Sequence, residues 1–188
     1  MRNIYQIIII ALLSLPILTP GSHANETEYE FTQKGMYYMF RGSFLVNAEL
    51  DCVIDLIYNF NNLSEYICGV QSIERIQQGD GWYDVCFSYR KLLVFENIST
   101  WRRTLKADDH KIVFEMLSSK NNMKNMPDVL SSKGYYQFTK EKDLCRLSYF
   151  QECTLDSGFL SNVYIKQSKQ EAIQFLHDLK KYIKRKCN

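Results

Sequence analysis

Apolar and polar residues alternate along most of the chain and give way to a helical spacing at a few places. From Tyr37 to Val46 every second position is apolar or small, and this period of two predicts a half-buried strand. From Leu50 to Ile57 the apolar positions lie three or four residues apart, so we expect a helix, which Asn47 can cap. After a break at 60–62, a second short helical turn is expected over 63–67.

Six further strands are predicted to follow as a meander. They are expected at 70–78, 82–89, 97–105, 112–116, 134–138 and 145–151. The segment Gly79-Asp80-Gly81 supplies the glycines that a tight hairpin needs between the first two of these strands. An apolar stripe at helical spacing then predicts one long C-terminal helix, and the residues of this stripe are Ile165, Ala172, Leu176, Leu179 and Ile183.

Residues 118–132 are polar and interrupt the meander, so we expect a long loop there. A loop of this length within a compact domain is either functional or loosely ordered. In the first case its apolar residues Met126, Val129 and Leu130 would cover the mouth of a pocket. In the second case the loop is a surface excursion, which is the commoner behaviour of loops.

The order of these elements predicts an α+β fold with one curved, antiparallel sheet of seven strands. Two short helices follow the first strand, and the long C-terminal helix lies across the sheet. The space between that helix and the sheet is then either a packed core or a pocket. No internal repeat or second domain is visible, so we expect residues 37–186 to form a single domain.

Residues 1–24 are interpreted as a signal peptide rather than as part of the fold. Arg2 gives a positive start, Ile4 to Leu13 form an apolar run, and small residues surround a cleavage site after Ala24. A membrane span normally needs about 20 apolar residues, so the run is short for one, and an uncleaved anchor is the alternative. We therefore expect an exported protein, periplasmic in a Gram-negative source and otherwise secreted, with a flexible lead-in over 25–36.

The charge balance argues against nucleic acid as a partner. The formal net charge is only +2, whereas proteins that bind nucleic acid present a broad basic surface. The chain is instead rich in aromatic residues, with 13 Tyr and 11 Phe that fall mostly on the predicted strands. Such side chains either fill a core or line an apolar cavity.

The six cysteines do not form a metal-binding pattern. They lie at positions 52, 68, 86, 145, 153 and 187. There is no CxxC pair, and His110 and His177 are far in sequence from any cysteine pair, so we expect neither a metal site nor a cofactor. We expect most of the cysteines to be small buried residues, with one disulfide, and Cys52 with Cys68 is the first pair to test.

Several short motifs, in this order, resemble those of the START/Bet v 1-like superfamily of helix-grip proteins. Residues 44–48 (FLVNA) and 53–57 (VIDLI) resemble the strand ending in V-x-A and the first helix, and 62–66 (NLSEY) resembles the family's N-L-P-x-aromatic segment. Residues 134–136 (GYY) and 144–149 (LCRLSY) resemble the motifs of the sixth and seventh strands. The likeness is greatest to the bacterial polyketide cyclase/dehydrase and coenzyme Q-binding protein branch.

Three positions depart from the family pattern. Ser64 replaces a proline, Tyr136 replaces a tryptophan, and the R-P that often ends the last strand is absent at Thr154-Leu155. The resemblance implies a helix-grip fold whose cavity, between sheet and C-terminal helix, binds a lipid, a quinone or a polyketide-like molecule. Because of these departures, it does not identify the ligand.

Alternation along the strands and helical spacing predict which side chains face the space under the long helix. They are Phe44, Val85, Phe87, Tyr89, Phe114, Met116, Tyr136, Tyr149, Gln151, Leu176 and Leu179. The alternative is that these residues simply fill the interior, because protein interiors pack to high density. Gln151 and Tyr149 are the most telling positions, since a polar group facing an apolar interior needs a partner or a ligand.

An enzyme would need a positioned acid, base or nucleophile, and the sequence identifies no catalytic residue. Cyclases of the resembled family polarise carbonyl groups with tyrosine or arginine side chains, for which Tyr89, Arg103, Glu115 and Tyr149 are the candidates. Arg103 and Glu115 are equally interpretable as a cross-strand ion pair. We therefore expect a binding or transport protein, with a cyclase-type enzyme as the alternative.

The C-terminal helix ends in a basic cluster, which we call the basic tail. Its members are Lys180, Lys181, Lys184, Arg185 and Lys186. Anionic membrane lipids attract such clusters, so the tail predicts a transient membrane contact or a partner-binding surface. Cations at a helix C-terminus also complement the helix dipole without any partner.

Overall fold

The computed structural model describes residues 27–91, 95–122 and 127–187. Within these ranges the chain forms eight strands and three α-helices. The strands are β1 (Glu28–Lys34), β2 (Tyr37–Val46), β3 (Val70–Gly79), β4 (Trp82–Lys91), β5 (Phe95–Lys106), β6 (Lys111–Asn121), β7 (Val129–Glu141) and β8 (Leu144–Leu155). The helices are α1 (Leu50–Tyr58), α2 (Leu63–Tyr66) and α3 (Ser161–Lys186), and a 3₁₀ turn (Phe60–Asn62) joins the first two.

The strands form one antiparallel sheet in the order β1-β2-β8-β7-β6-β5-β4-β3. The meander from β3 to β8 is therefore closed by pairing of β8 with β2. At the β3–β4 hairpin, Gly81 has a φ of +70°, a conformation in which a side chain would be strained. The predicted α+β fold with a long C-terminal helix across an antiparallel sheet is confirmed, with eight strands instead of seven.

The additional strand is β1, which lies in the segment predicted to be a flexible lead-in. Residues 28–34 pair with β2 along their whole length, with Phe31 opposite Phe40. The Phe31 ring stacks on Tyr38 at a centroid distance of 5.6 Å. The lead-in prediction therefore does not hold for 28–34. The segment reads as polar because β1 is an edge strand whose side chains are mostly exposed.

Helix α3 packs on β2, and Gly42 makes this close approach possible. A Cβ atom at Gly42 would overlap the Leu176 side chain. Leu176, Leu179 and Ile183 are fully buried between the helix and the sheet. The helical stripe predicted from the sequence is thus the face of α3 that packs on the sheet.

Helices α1 and α2 lie beside the C-terminal end of α3. Cys52 of α1 forms a disulfide with Cys187, the residue that follows α3, and the two Cα atoms are 6.0 Å apart. The predicted Cys52–Cys68 bridge is wrong, because Cys68 is a free, exposed cysteine. The local spacing that suggested it carries no information on where the chain end returns. An ion pair of 2.8 Å between Lys186 and Glu65 adds a second link to α2.

The predicted loop over 118–132 is shorter in the structure, because β6 continues to Asn121 and β7 begins at Val129. Met126 lies outside the described residues. Val129 packs against a small cluster that includes Leu155, whereas the Leu130 side chain is exposed.

The predicted signal peptide also lies outside the described residues. Among the helices of the described ranges, none combines the length and the apolar character needed to span a membrane.

Candidate ligand-binding cleft

The concave face of the sheet and helix α3 enclose one large apolar cluster, and it includes most of the predicted lining residues. The buried ones are Phe44, Val85, Phe87, Phe114, Tyr136, Tyr149, Leu176 and Leu179. Tyr89, Met116 and Gln151 are half-buried. All of the sheet residues among them share the concave face, as their strand positions predict.

Aromatic rings fill the middle of this space. The rings of Phe114, Tyr136 and Tyr149 are in mutual contact, with centroid distances of 5.4, 5.8 and 5.2 Å. Phe175 of α3 lies 5.4 Å from Tyr149, so the sheet and the helix are bridged by rings at this level. These side chains pack against one another and form a floor rather than an empty cavity.

The two polar side chains singled out from the sequence are partners of each other. The Tyr149 hydroxyl donates to Gln151 Oε1 at 2.7 Å, and Gln151 Nε2 donates to Ser132 Oγ at 3.1 Å. The Ser132 hydroxyl in turn donates to the backbone carbonyl oxygen of Glu152 at 3.1 Å. This chain of hydrogen bonds satisfies both groups inside the protein, so neither of them requires a ligand.

A half-open part of the concave face lies beyond this floor, on strands β4 to β6. Its apolar side chains Tyr89, Trp101 and Met116 are only half-buried, and Trp101 lies opposite Met116 in the sheet. Helix α3 leaves this part less covered because it packs on β2, α1 and α2. We call the space over Tyr89, Trp101, Met116 and the neighbouring Arg103 the cleft.

Arg103 lies at the inner end of the cleft and is its most unusual residue. Its side chain is only 4% exposed. The Nη2 atom donates to the Ile57 carbonyl oxygen at 2.8 Å and to the Tyr66 hydroxyl at 3.1 Å. The guanidinium also lies over the rings of Tyr136 and Tyr83, at 5.5 and 6.0 Å from their centroids. Three phenols and one carbonyl group thus surround a buried cation.

Within the described ranges, Arg103 has no carboxylate partner and its Nε atom has no hydrogen-bond partner. Burial lowers the pKa of the guanidinium, but the surrounding Tyr66, Tyr83 and Tyr136 hydroxyls raise it by more. Burial also raises the pKa of all three tyrosines. At neutral pH the site therefore holds one positive charge and neutral phenols.

The structure places the two residues of the alternative ion pair on opposite faces of the sheet. Arg103 lies opposite Phe114 on the concave face, whereas Glu115 lies opposite Arg102 and is exposed on the convex face. The Arg103–Glu115 pairing is therefore wrong. The inward direction of Arg103 follows from its place two residues after Trp101 and two before Leu105, a signal that sequence reasoning did not use.

The members of the basic tail differ in their surroundings. Lys180 is buried over the Phe44 ring, and Lys186 pairs with Glu65. Lys181 and Lys184 line a surface groove of about 750 Å³ between α3 and β1. Only part of the predicted tail is therefore free to contact a membrane surface.

No cluster of metal-ligating side chains is present among the described residues. No buried carboxylate or imidazole faces the cleft in the same ranges either, since the buried Asp84 pairs with Arg102 on the convex face.

Comparison with known proteins identifies the fold. No family model matches the chain. No curated protein matches it in sequence.

Solved structures match it well in shape. The Zhui aromatase/cyclase from Streptomyces sp. R1128 is 12% identical with a TM-score of 0.65, and the match covers 81% of this chain and 96% of that one. The STAR-related lipid transfer protein from Xanthomonas axonopodis is 13% identical with a TM-score of 0.61, covering 82% and 98%. A START superfamily protein from Mycobacterium smegmatis is 8% identical with a TM-score of 0.62, covering 78% and 97%. At these identities the likeness shows the fold alone.

Proposed function

We propose that this chain, which has the helix-grip fold of the START/Bet v 1-like superfamily, binds a hydrophobic small molecule in the cleft, with a hydrogen-bond acceptor of that molecule at Arg103. The resemblance found in the sequence is confirmed at the level of the fold. Structures with this fold include a protein named for lipid transfer and one named as an aromatase/cyclase. The names support an apolar ligand but do not identify it.

The unpartnered Nε of Arg103 is the observation that carries this proposal. A buried donor without a partner costs roughly 1–3 kcal/mol, and more when the group is charged. A ligand oxygen that accepts from Nε would remove this cost and bring the arginine a counter-charge or a strong dipole. The favoured ligand is therefore an apolar molecule that carries a carboxylate, an enolate or a carbonyl group.

Binding is favoured over catalysis by what surrounds the arginine. Arg103 can polarise a ligand carbonyl, which is what a cyclase-type reaction would need first. The next step needs a base, yet the phenols around Arg103 have raised pKa values and stay protonated near neutral pH. Among the described residues, no buried carboxylate or imidazole takes that role on the concave face. Cyclase activity is therefore the second candidate.

The test is a calorimetric titration of the disulfide-intact protein with palmitic acid and with its methyl ester as probes. We expect palmitate to bind and Arg103→Met to weaken its binding by about tenfold or more, with a smaller effect on the ester. Arg102→Met is the matched control, since it removes the neighbouring arginine from the opposite face. Equal affinity of the two variants, or no binding of either probe to the unaltered protein, would overturn the proposal.

We also propose that the protein is exported. The pattern of 1–24 supports this, and so does the Cys52–Cys187 disulfide, because disulfides persist in oxidising compartments. N-terminal sequencing of protein recovered from outside the cytoplasm of its own host tests the proposal. A mature chain beginning at Asn25 is the expected result, and a cytoplasmic chain that keeps residues 1–24 would contradict it.

A membrane contact through the exposed part of the basic tail is proposed as the route by which a ligand is exchanged. Lys181, Lys184 and Arg185 are exposed, and each basic residue near an anionic bilayer contributes about 1 kcal/mol. Replacing these three residues by Gln should abolish binding to phosphatidylglycerol vesicles, whereas phosphatidylcholine vesicles should not bind either form. The matched control replaces Lys120, Lys133 and Lys166, which are also exposed. Equal loss in both triple variants would show a nonspecific charge effect.

A further inference from the structure

A second unpartnered polar atom lies on the same strand and the same face as Arg103. Asn97 of β5 is an even number of residues from Arg103 and lies opposite Tyr89 of β4, at the half-open end of the concave face. Its Oδ1 atom is buried and has no hydrogen-bond partner within the described part of the chain. The buried Ser99 stands between them and accepts a hydrogen bond from Trp101 Nε1 at 2.9 Å.

The side-chain amide of the neighbouring Asn121 does not donate a hydrogen bond to Asn97. Asn121 of β6 lies directly opposite Asn97 in the sheet. Its Nδ2 atom donates to Asp128 Oδ1 at 2.5 Å and to the Pro127 carbonyl oxygen at 3.5 Å. These two bonds use both hydrogens of the Asn121 amide nitrogen, so Asn121 does not donate to Asn97. Among the described residues, the Asn97 side-chain oxygen therefore remains an acceptor without a donor.

We propose that Asn97 is a second polar contact for the ligand and that the ligand is therefore polar at both ends. This inference rests on the proposed function and deepens it. Arg103 Nε is a donor and selects an acceptor group, whereas Asn97 Oδ1 is an acceptor and selects a donor such as a hydroxyl group. The two contacts discriminate between chemical groups because a mismatched group leaves a buried atom unpaired.

The spacing of the two residues sets the length of the ligand. They lie six positions apart in the strand, which corresponds to about 20 Å along β5. Between them the cleft offers Trp101 and the facing Met116, which are apolar contacts for the middle of the molecule. The ligand class that fits is an extended apolar chain with a carboxylate or carbonyl group at one end and a hydroxyl group at the other.

The experiment compares three probes of equal chain length, which are palmitic acid, ω-hydroxypalmitic acid and hexadecanedioic acid. Each is titrated into the disulfide-intact protein by calorimetry. We expect the ω-hydroxy acid to bind about tenfold more tightly than palmitic acid, because its hydroxyl group donates to Asn97. The dicarboxylic acid should bind more weakly than palmitic acid, since its second carboxylate meets an acceptor.

Asn97→Leu provides the variant arm of the test. It should lower the ratio of the two affinities, ω-hydroxy acid over palmitic acid, from about ten to about one, because the acceptor for the hydroxyl group is gone. Circular dichroism of the variant checks that it is folded. Ile98→Ala, a change to an exposed neighbour in the same strand, is the matched control and should keep the advantage.

The outcomes separate this inference from the proposed function. If palmitic acid binds and depends on Arg103 but the ω-hydroxyl group brings no gain, the two-ended ligand is wrong and the proposed function stands. An advantage of the ω-hydroxy acid that persists in Asn97→Leu also overturns the role of Asn97. If no probe binds to the unaltered protein, the proposed function itself fails.

Discussion

Arg103 on β5 donates a hydrogen bond from Nη2 to the backbone carbonyl oxygen of Ile57 in the last turn of α1, at 2.8 Å. The same carbonyl oxygen accepts from the Tyr66 hydroxyl at 2.9 Å. One peptide oxygen therefore joins the sheet to both short helices. The arginine uses Nη2 for this structural contact, whereas its buried Nε has no hydrogen-bond partner among the described residues.

Tyr66→Phe should lower the free energy of unfolding by about 1–2 kcal/mol, because the buried hydroxyl takes part in two hydrogen bonds. The phenylalanine ring would keep the contacts of Tyr66 with Tyr182 and Phe175, so the change isolates the hydroxyl group. Urea unfolding followed by circular dichroism measures the difference.

Tyr182→Phe is the matched control for this prediction. The Tyr182 hydroxyl is buried and has no hydrogen-bond partner within the described ranges, so removing it should leave stability unchanged or raise it slightly. A loss in Tyr182→Phe as large as that in Tyr66→Phe would show that the Arg103–Tyr66–Ile57 contacts contribute no more than ring packing.

Replacing both Cys52 and Cys187 by serine should lower the free energy of unfolding by about 2–5 kcal/mol. The bridge joins residues 135 positions apart, and a disulfide that closes a long loop removes much freedom from the unfolded chain. Reduction with dithiothreitol should reproduce the loss in the unaltered protein and have no effect on the double variant. Denaturant titrations under both conditions measure this.

Cys68→Ser controls for the loss of a thiol. Cys68 is exposed and free, so its replacement should change stability by less than about 0.5 kcal/mol. If Cys68→Ser destabilised the protein as much as the double variant, the loss in the double variant could not be assigned to the disulfide.

More of the fold than of the candidate site is predictable from the sequence. Alternation along β2 and helical spacing along α3 identify the faces that are buried, because both report burial of a whole face. The sequence alone does not distinguish Arg103 from the other candidates, since a charged residue on a strand is normally exposed. The pairing of Cys52 with Cys187 was not predictable, because it depends on where a helix ends across the folded sheet. Strand β1 was missed since an edge strand needs little apolar surface.

Gly42→Ala should destabilise the protein by about 1–3 kcal/mol, because its Cβ would overlap the Leu176 side chain of α3. In the double variant Gly42→Ala with Leu176→Ala the two losses should be clearly less than additive, since the smaller side chain makes room for the new methyl group. Thermal unfolding of the four proteins in the cycle gives the coupling. Strict additivity would show that the helix does not rest on Gly42.

Gly134→Ala should cost more than Gly42→Ala, although both glycines lie on the concave face. Its Cβ would overlap the backbone carbonyl oxygen of Phe150 as well as the Phe114 ring. A paired strand cannot move its backbone as easily as a leucine changes rotamer, so relief is harder. The same thermal unfolding assay ranks the two variants, and an equal or smaller loss for Gly134→Ala would contradict this ranking.

The ion pair between Asp84 and Arg102 makes the stability of the sheet depend on pH in the acid range. Arg102 donates to both carboxylate oxygens of Asp84, at 2.8 and 3.0 Å, and this hydrogen bonding lowers the pKa of Asp84 from its ordinary value of 3.8. Because the pKa of Asp84 is lower in the folded than in the unfolded state, the ion pair stabilises the fold fully above the unfolded-state pKa. This stabilisation is lost as the pH falls through the folded-state pKa.

Asp84→Asn should therefore cost about 1–3 kcal/mol at pH 7, and this cost should shrink towards zero as the pH falls below about 4. Urea unfolding of both proteins across the acid range measures the difference. Glu141→Gln is the comparison, because Glu141 also pairs with an arginine, Arg146, but is far more exposed and its pair should be worth little. A cost of Asp84→Asn that does not change with pH would show that packing, and not the charge of Asp84, stabilises this part of the sheet.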